Sequence, residues 1–155
     1  MSIWTPEQVK LLTTFHHLHT PHPGELLTLG YMEHDAMPRL DAFLAQPRTS
    51  LVDIRYSPRS RWRPAFNQSA LIGRYGWATY RHCKSLGNVN YNKPGESIKL
   101  YAPFEGVRLV LSLLQGGHSL LLLCACKNYD RCHRKTVYDL VMSLMQTIQK
   151  SEGNQ

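Results

Sequence analysis

The sequence predicts an α/β protein: a three-layer domain with a largely parallel sheet of four to five strands and helices on both faces. Two observations carry this. Short apolar runs alternate four times with segments of helical period, the pattern of strand–helix–strand units. One run, Leu120–Leu123, is apolar at every position, as expected of a central strand covered on both faces.

Thr5-Pro6-Glu7 opens the first helix with a capping hydroxyl, a proline in the first turn and an acid at the positive end of the dipole. It is expected to reach about His16, and residues 1–24 read as a helical extension ahead of a single α/β domain over 25–150. His16, His17, His19 and His22 then crowd a segment that Pro21 and Pro23 make an irregular connector, so no metal is assigned to them. Glu25–Tyr31 reads as the first strand. Asp35 is placed to cap a helix through Leu44, with Met37, Leu40, Phe43 and Leu44 on one face. Ser50–Tyr56 reads as the second strand, Asn67–Tyr75 as a helix and Ala78–Cys83 as a short third strand. Ser85–Gly95 has no apolar period and reads as a lid or binding loop. Pro103–Gln115 is helical and is stopped by Gly116-Gly117. Ser119–Cys124 is the fourth strand. A last helix over His133–Gln149 carries Val137, Leu140, Val141, Leu144, Met145 and Ile148 at helical spacing, and Ser151–Gln155 is expected to fray.

The 155 residues suffice for one hydrophobic core without staples, and 43% of them are hydrophobic. The formal charge of +7 favours an acidic partner. That charge is concentrated. Residues 54–95 contain no Asp or Glu but hold Arg55, Arg59, Arg61, Arg63, Arg74, Arg81, Lys84 and Lys93, interleaved with Tyr56, Trp62, Phe66, Tyr75, Trp77, Tyr80 and Tyr91. Arginine forks bind phosphate and aromatic faces stack on bases, so the stretch reads as an anion or nucleic-acid surface in preference to a plain solvated face. The N-terminus lacks a basic segment followed by an apolar one, and no apolar run approaches a membrane span. The expectation is a cytoplasmic protein with reduced cysteines, no membrane partner and no cofactor.

The chemistry concentrates in Leu120–Arg134, where an apolar strand leads into Cys124, Cys126, Cys132, His133 and the cations Lys127, Arg131 and Arg134. Cys124 stands where a strand presents a nucleophile to a following helix, with cations to lower its pKa, so Cys124 and His133 are candidate catalytic residues. An inert buried strand cysteine stands equally. The C-x5-R cradle of cysteine phosphatases is absent, because Cys132 and Asp130 occupy the arginine's place. The C-x-C-x5-C-H spacing lacks a zinc knuckle, and no metal is assigned. A third reading asks least: backbone N–H groups at the start of the last helix, with His133 and Arg134, hold a phosphate, Arg55, Arg59 and Ser60 complete the site, and Cys132 packs beneath the loop. In parallel sheets ligands bind beyond the carboxyl ends of the strands. The loops leaving those ends, Gly30–Asp35, Arg55–Arg63 and Cys124–Arg134, are expected to meet there.

The motifs G-Y-x-x-H-D at 30–35, L-V-D-I-R-Y-S-P-R-S-R at 51–61, Phe66, Leu86-Gly87 and L-L-L-C-A-C-K-N-Y-D-R-C-H-R at 121–134 resemble, in that order, the domain-of-unknown-function family 488. The resemblance implies a small three-layer α/β fold and leaves the activity open. By position it singles out Asp53, Arg55, Pro58, Ser60, Cys124, Lys127, Cys132, His133 and Arg134. Family members commonly carry an acid where Cys126 stands here. The expected site is therefore a basic cleft for a phosphate-bearing small molecule or nucleic acid. Asp53, Arg55, Arg59, Ser60, Arg61, Lys127, Arg131 and Arg134 are its anion-binding residues, and Tyr31, His34 and Tyr91 form its lid or pocket.

Overall fold

Strands β1 (Leu26–Gly30), β2 (Thr49–Asp53), β3 (Tyr80–His82) and β4 (Ser119–Cys124) form one all-parallel sheet in the order β1-β4-β2-β3. This is a computed structural model, and it describes residues 3–13 and 23–153. Among the described residues five α-helices accompany the sheet: α1 (Pro6–Thr13), α2 (Ala36–Leu44), α3 (Gln68–Tyr75), α4 (Pro103–Gln115) and α5 (His133–Gly153). The three-layer α/β architecture follows directly from the alternation of apolar runs.

β4 is the hub. Leu121 sits opposite Leu27 on one side and Leu51 on the other. Its side chains alternate between two cores, as a strand's period of two requires. Leu120, Leu122 and Cys124 pack with Leu12 of α1, Val107, Val110 and Leu111 of α4, and Val137 and Val141 of α5. Leu121 and Leu123 pack with Leu40 and Phe43 of α2 and Leu71 of α3. A leucine fully buried in this way contributes about 1.5–3 kcal/mol relative to exposure. α1 is seated on α4 and α5 through Leu12, with Trp4 edge-on to Phe104 at 6.5 Å. Its start is a reciprocal capping box: Thr5 Oγ1 accepts from the Gln8 N–H at 3.1 Å, and Gln8 Oε1 accepts from the Thr5 N–H at 2.9 Å.

Several elements end elsewhere than the sequence suggests. β2 stops at Asp53, not Tyr56, where the Arg55 side chain folds back onto the Asp53 carboxylate, and β3 spans Tyr80–His82 alone. Asp35 does not cap α2 with its side chain. It adopts a left-handed conformation (φ 52°) and its carboxylate meets His34 Nε2 at 3.0 Å. α5 continues to Gly153, past the fray expected from Ser151. The histidine cluster His16, His17, His19 and His22 lies outside the described residues. No helix among the described residues is long and apolar enough to cross a membrane.

Candidate functional site

Because every strand runs the same way and β4 lies between β1 and β2, the loops leaving these three strands emerge side by side. Backbone hydrogen bonds join them. Tyr31 and Met32 N–H donate to the carbonyls of Cys124 and Ala125 at 2.9 and 3.2 Å, and Ile54 N–H donates to Leu123 O at 3.0 Å. Arg63 Nη1 reaches Tyr31 O at 3.0 Å and straps the first loop to the second. Between them opens a cleft of about 640 Å³ whose walls include Tyr31, Arg55, Arg59, Ser60, Arg61, Trp62, Tyr91, Cys126, Arg131 and His133. The polar loop after β3 forms its outer wall through Asn88, Asn90, Tyr91 and Lys93. A neighbouring hollow of about 730 Å³ shares Arg59, Ser60, Arg61 and Tyr91 with the cleft and is also lined by Asn67, Gln68 and Ser69.

Arg55 anchors one wall. It lies two residues beyond the fully buried Asp53, on the same side of the chain. Its Nε and Nη2 donate to the two carboxylate oxygens of Asp53 at 2.8 and 2.6 Å, and Nη2 also donates to Phe66 O at 2.7 Å. Tyr80 Oη donates to the same carboxylate at 2.6 Å. Burial pulls the Arg55 pKa down, but the Asp53 hydrogen bonds and charge outweigh it, and the net shift is upward. Burial and the Asp53 charge push the Tyr80 phenol up. One donor is left over: among the described residues, Nη1 of Arg55 is buried without a hydrogen-bond partner. Such an orphan costs about 1–3 kcal/mol unless an acceptor meets it.

Around it the cations are free. Arg59, Arg61 and Arg131 make no ion pair among the described residues. Ser60 is nearly buried and holds the loop: its hydroxyl accepts from the Arg63 N–H at 3.0 Å, and its own N–H donates to Asn67 Oδ1 at 2.5 Å. Trp62 is 83% exposed and Tyr91 57%, so both offer aromatic faces to solvent at the cleft rim.

The opposite wall carries thiols. The sulfurs of Cys124, Cys126 and Cys132 all lie within 4.8 Å of one another, and Cys124 and Cys132 are only 2.7 Å apart. Cys124 is 0% exposed and its thiol is pushed far up by hydrogen bonds to Cys126 and Cys132 and by burial. Cys126 is exposed and opens onto the cleft. Hydrogen bonds from Cys124 and Cys132 draw its thiol down to about 2, against a burial cost, and His133 and Arg134 add to the pull. His133 Nε2 is 2.7 Å from Ile54 O. A carbonyl only accepts, so Nε2 carries the proton. Burial lowers the His133 pKa more than this bond raises it. Its Nδ1 lone pair then faces Cys132 Sγ at 3.9 Å. The three sulfurs are the residues here best suited to a soft metal. However, zinc–sulfur bonds of about 2.3 Å put tetrahedral sulfurs about 3.8 Å apart, and the Cys124–Cys132 contact is well inside that.

Five expected site residues are placed otherwise. Cys124 does not reach the cleft; the thiol presented there is Cys126, because the alternation along β4 turns Cys124 into the core. Arg134 is turned away, nearly buried, with Nη1 bonded to Glu33 at 2.8 Å. His34 and Lys127 point to solvent and do not line the cleft. Asp53 is fully buried, does not line the cleft, and holds the Arg55 guanidinium. Sequence reasoning missed the roles of Glu33, Arg63 and Phe66, since each acts through a contact between distant loops; Arg63 was visible only as one more cation in the basic run.

The family described as Domain of unknown function DUF488 matches residues 40–141. The chain belongs to this family. The match takes in β2 through β4 and the start of α5, and so both walls of the cleft. The DUF488 match leaves Tyr31 and Glu33 outside, although the loop after β1 closes the same cleft. No curated protein and no solved structure matches the chain.

Proposed function

We propose that the cleft at the carboxyl edge of the sheet binds a phosphate-bearing ligand, a nucleotide or a nucleic-acid segment. The observation that carries this reading is the buried, unpartnered Nη1 of Arg55 in a cleft lined by one acid, Glu96, and by Arg59, Arg61, Arg131 and Lys93, of which the three arginines form no ion pair among the described residues. A phosphate oxygen supplies the missing acceptor, and the free guanidinium groups supply planar forks for the remaining oxygens. The Asp53–Arg55–Tyr80 network holds the Arg55 guanidinium rigid, so little ordering cost falls on binding.

Cys126 in the same cleft supports cysteine-dependent chemistry on that ligand. The exposed faces of Trp62 and Tyr91 favour a second reading, a non-catalytic module that stacks the bases of a single strand. Fluorescence anisotropy with a single-stranded oligonucleotide, competed by a nucleoside triphosphate, tests both. Arg59→Ala and Arg61→Ala are each expected to weaken binding by about tenfold or more, the worth of a hydrogen bond to a charged group. Competition by the triphosphate at comparable concentration points to a nucleotide site. Trp62→Ala weakening the oligonucleotide alone points to the stacking module. Unchanged affinity in both arginine variants sinks the reading.

A further inference from the structure

The thiol cluster asks for an explanation that phosphate binding does not supply. An anion seat needs no sulfur, yet three of the chain's four cysteines converge behind the cleft. They are also unequal. Cys126 is exposed on the cleft, whereas Cys124 and Cys132 are sealed in the core at 0% and 1% exposure. The buried pair is separated by 2.7 Å. That is well inside the roughly 3.8 Å spacing of zinc-bound sulfurs and closer to the about 2.05 Å of a disulfide.

We propose that Cys126, Cys132 and Cys124 form a thiol relay, in which Cys126 exchanges with a low-molecular-weight disulfide in the cleft and the oxidation ends as a buried Cys124–Cys132 disulfide. The steps balance. The Cys126 thiolate attacks one sulfur of R–S–S–R, forming a mixed disulfide and releasing RS⁻. Cys132 then attacks the Cys126 sulfur, giving up its proton to His133 Nδ1 and releasing the second RS⁻; this RS⁻ takes the proton from His133, and the first takes one from solvent. Finally Cys124 attacks Cys132, its proton passing to the departing Cys126 sulfur, which gives it up to solvent and returns to the thiolate. Two protein thiols are oxidised to one disulfide and one external disulfide is reduced to two thiols. The low pKa of Cys126 keeps it ionised at neutral pH, at some cost in nucleophilicity, and makes it a good leaving group in the last step. The neutral, Nε2-protonated state of His133 leaves a lone pair on the side of Cys132.

The relay needs none of the arginines assigned to phosphate, so the two readings fail separately. The experiment mixes the reduced full chain with oxidised glutathione at pH 7, quenches it with a maleimide and maps the peptides by mass spectrometry. The wild-type protein is expected to accumulate the Cys124–Cys132 disulfide and to release two glutathione thiols per chain. Cys126→Ser, a change at an exposed position that leaves the core pair in place, is expected to form that disulfide at least tenfold more slowly. The double variant Cys124→Ser/Cys132→Ser is expected to stop with one glutathione on Cys126; if its core does not tolerate two serines, the rate in Cys126→Ser decides alone. A Cys124–Cys132 disulfide forming in Cys126→Ser at the wild-type rate overturns the relay. So does a wild-type chain that takes up glutathione on Cys126 and goes no further.

Discussion

Arg55 and Arg134 are both almost completely buried, and each survives burial by a different partner. Arg55 is held by a carboxylate that is itself fully buried, so removing Asp53 strands a charge with no access to water. Asp53→Ala is expected to cost about 3–5 kcal/mol in chemical denaturation, as for a buried pair that loses one member. A loss below about 1 kcal/mol would show that the pair is not buried as described. Arg134 depends on Glu33, which also accepts the Gly30 N–H. Burial raises the Glu33 pKa, but the Gly30 bond and the Arg134 and Arg39 charges outweigh it, and the net shift is downward from 4.5. A carboxylate depressed in the folded state gives stability that is whole above its unfolded pKa and is lost as pH falls through the folded value. The Glu33 contribution is therefore complete above 4.5 and drains away below it. Glu33→Gln should be less stable at neutral pH and should flatten the stability profile on the acid side. A parallel profile, merely displaced, would contradict this. Neither arginine's role is legible in the one-dimensional pattern, where both are simply members of basic motifs.

At the scale of elements, the contact between the ends of β1 and β4 sets the position of the exposed thiol. A Cβ on Gly30 would lie 1.7 Å from the Cys126 carbonyl oxygen, so only glycine permits this approach. Gly30→Ala must push the Cys126 backbone away. The expected cost is about 1–3 kcal/mol, as for overpacking elsewhere, together with faster alkylation of Cys132 as the loop lifts off it. Denaturation and thiol mapping on the same variant check both, and wild-type stability would rule the contact out. Gly87 plays a similar part on the outer wall, where an added Cβ would meet the Tyr56 backbone at 2.5 Å. G-Y at 30–31 and Leu86-Gly87 stand out in the sequence. What they leave room for appears only when the loops after different strands are side by side.

Across the whole molecule, the charge of +7 is distributed by function. Glu33, Asp41, Asp53 and Asp139 are each engaged by a basic partner, while Arg59, Arg61 and Arg131 at the cleft form no ion pair among the described residues. Binding of a nucleic-acid strand at that edge should therefore release counterions. Log affinity is expected to fall linearly with log salt concentration, and the double variant Arg59→Ala/Arg61→Ala should have a shallower slope by about 1.4 for a single strand. Titration of the oligonucleotide at several salt concentrations measures this, and an unchanged slope would place the phosphates elsewhere.

The sequence by itself determined the α/β class, the central strand Ser119–Cys124, the convergence of three loops and the basic wall at Arg55–Arg61. These follow from periodicity and charge, which are properties of neighbouring residues. The tertiary structure alone decided that Asp53 is a buried brace for Arg55 and does not line the cleft, that Arg134 belongs to Glu33, and that Cys126 and not Cys124 faces the cleft. Which thiol is presented depends on the face of β4 to which each residue turns and on how closely Gly30 lets the following loop approach. Both are settled by packing between segments about a hundred residues apart, a distance over which no local pattern in the chain can speak.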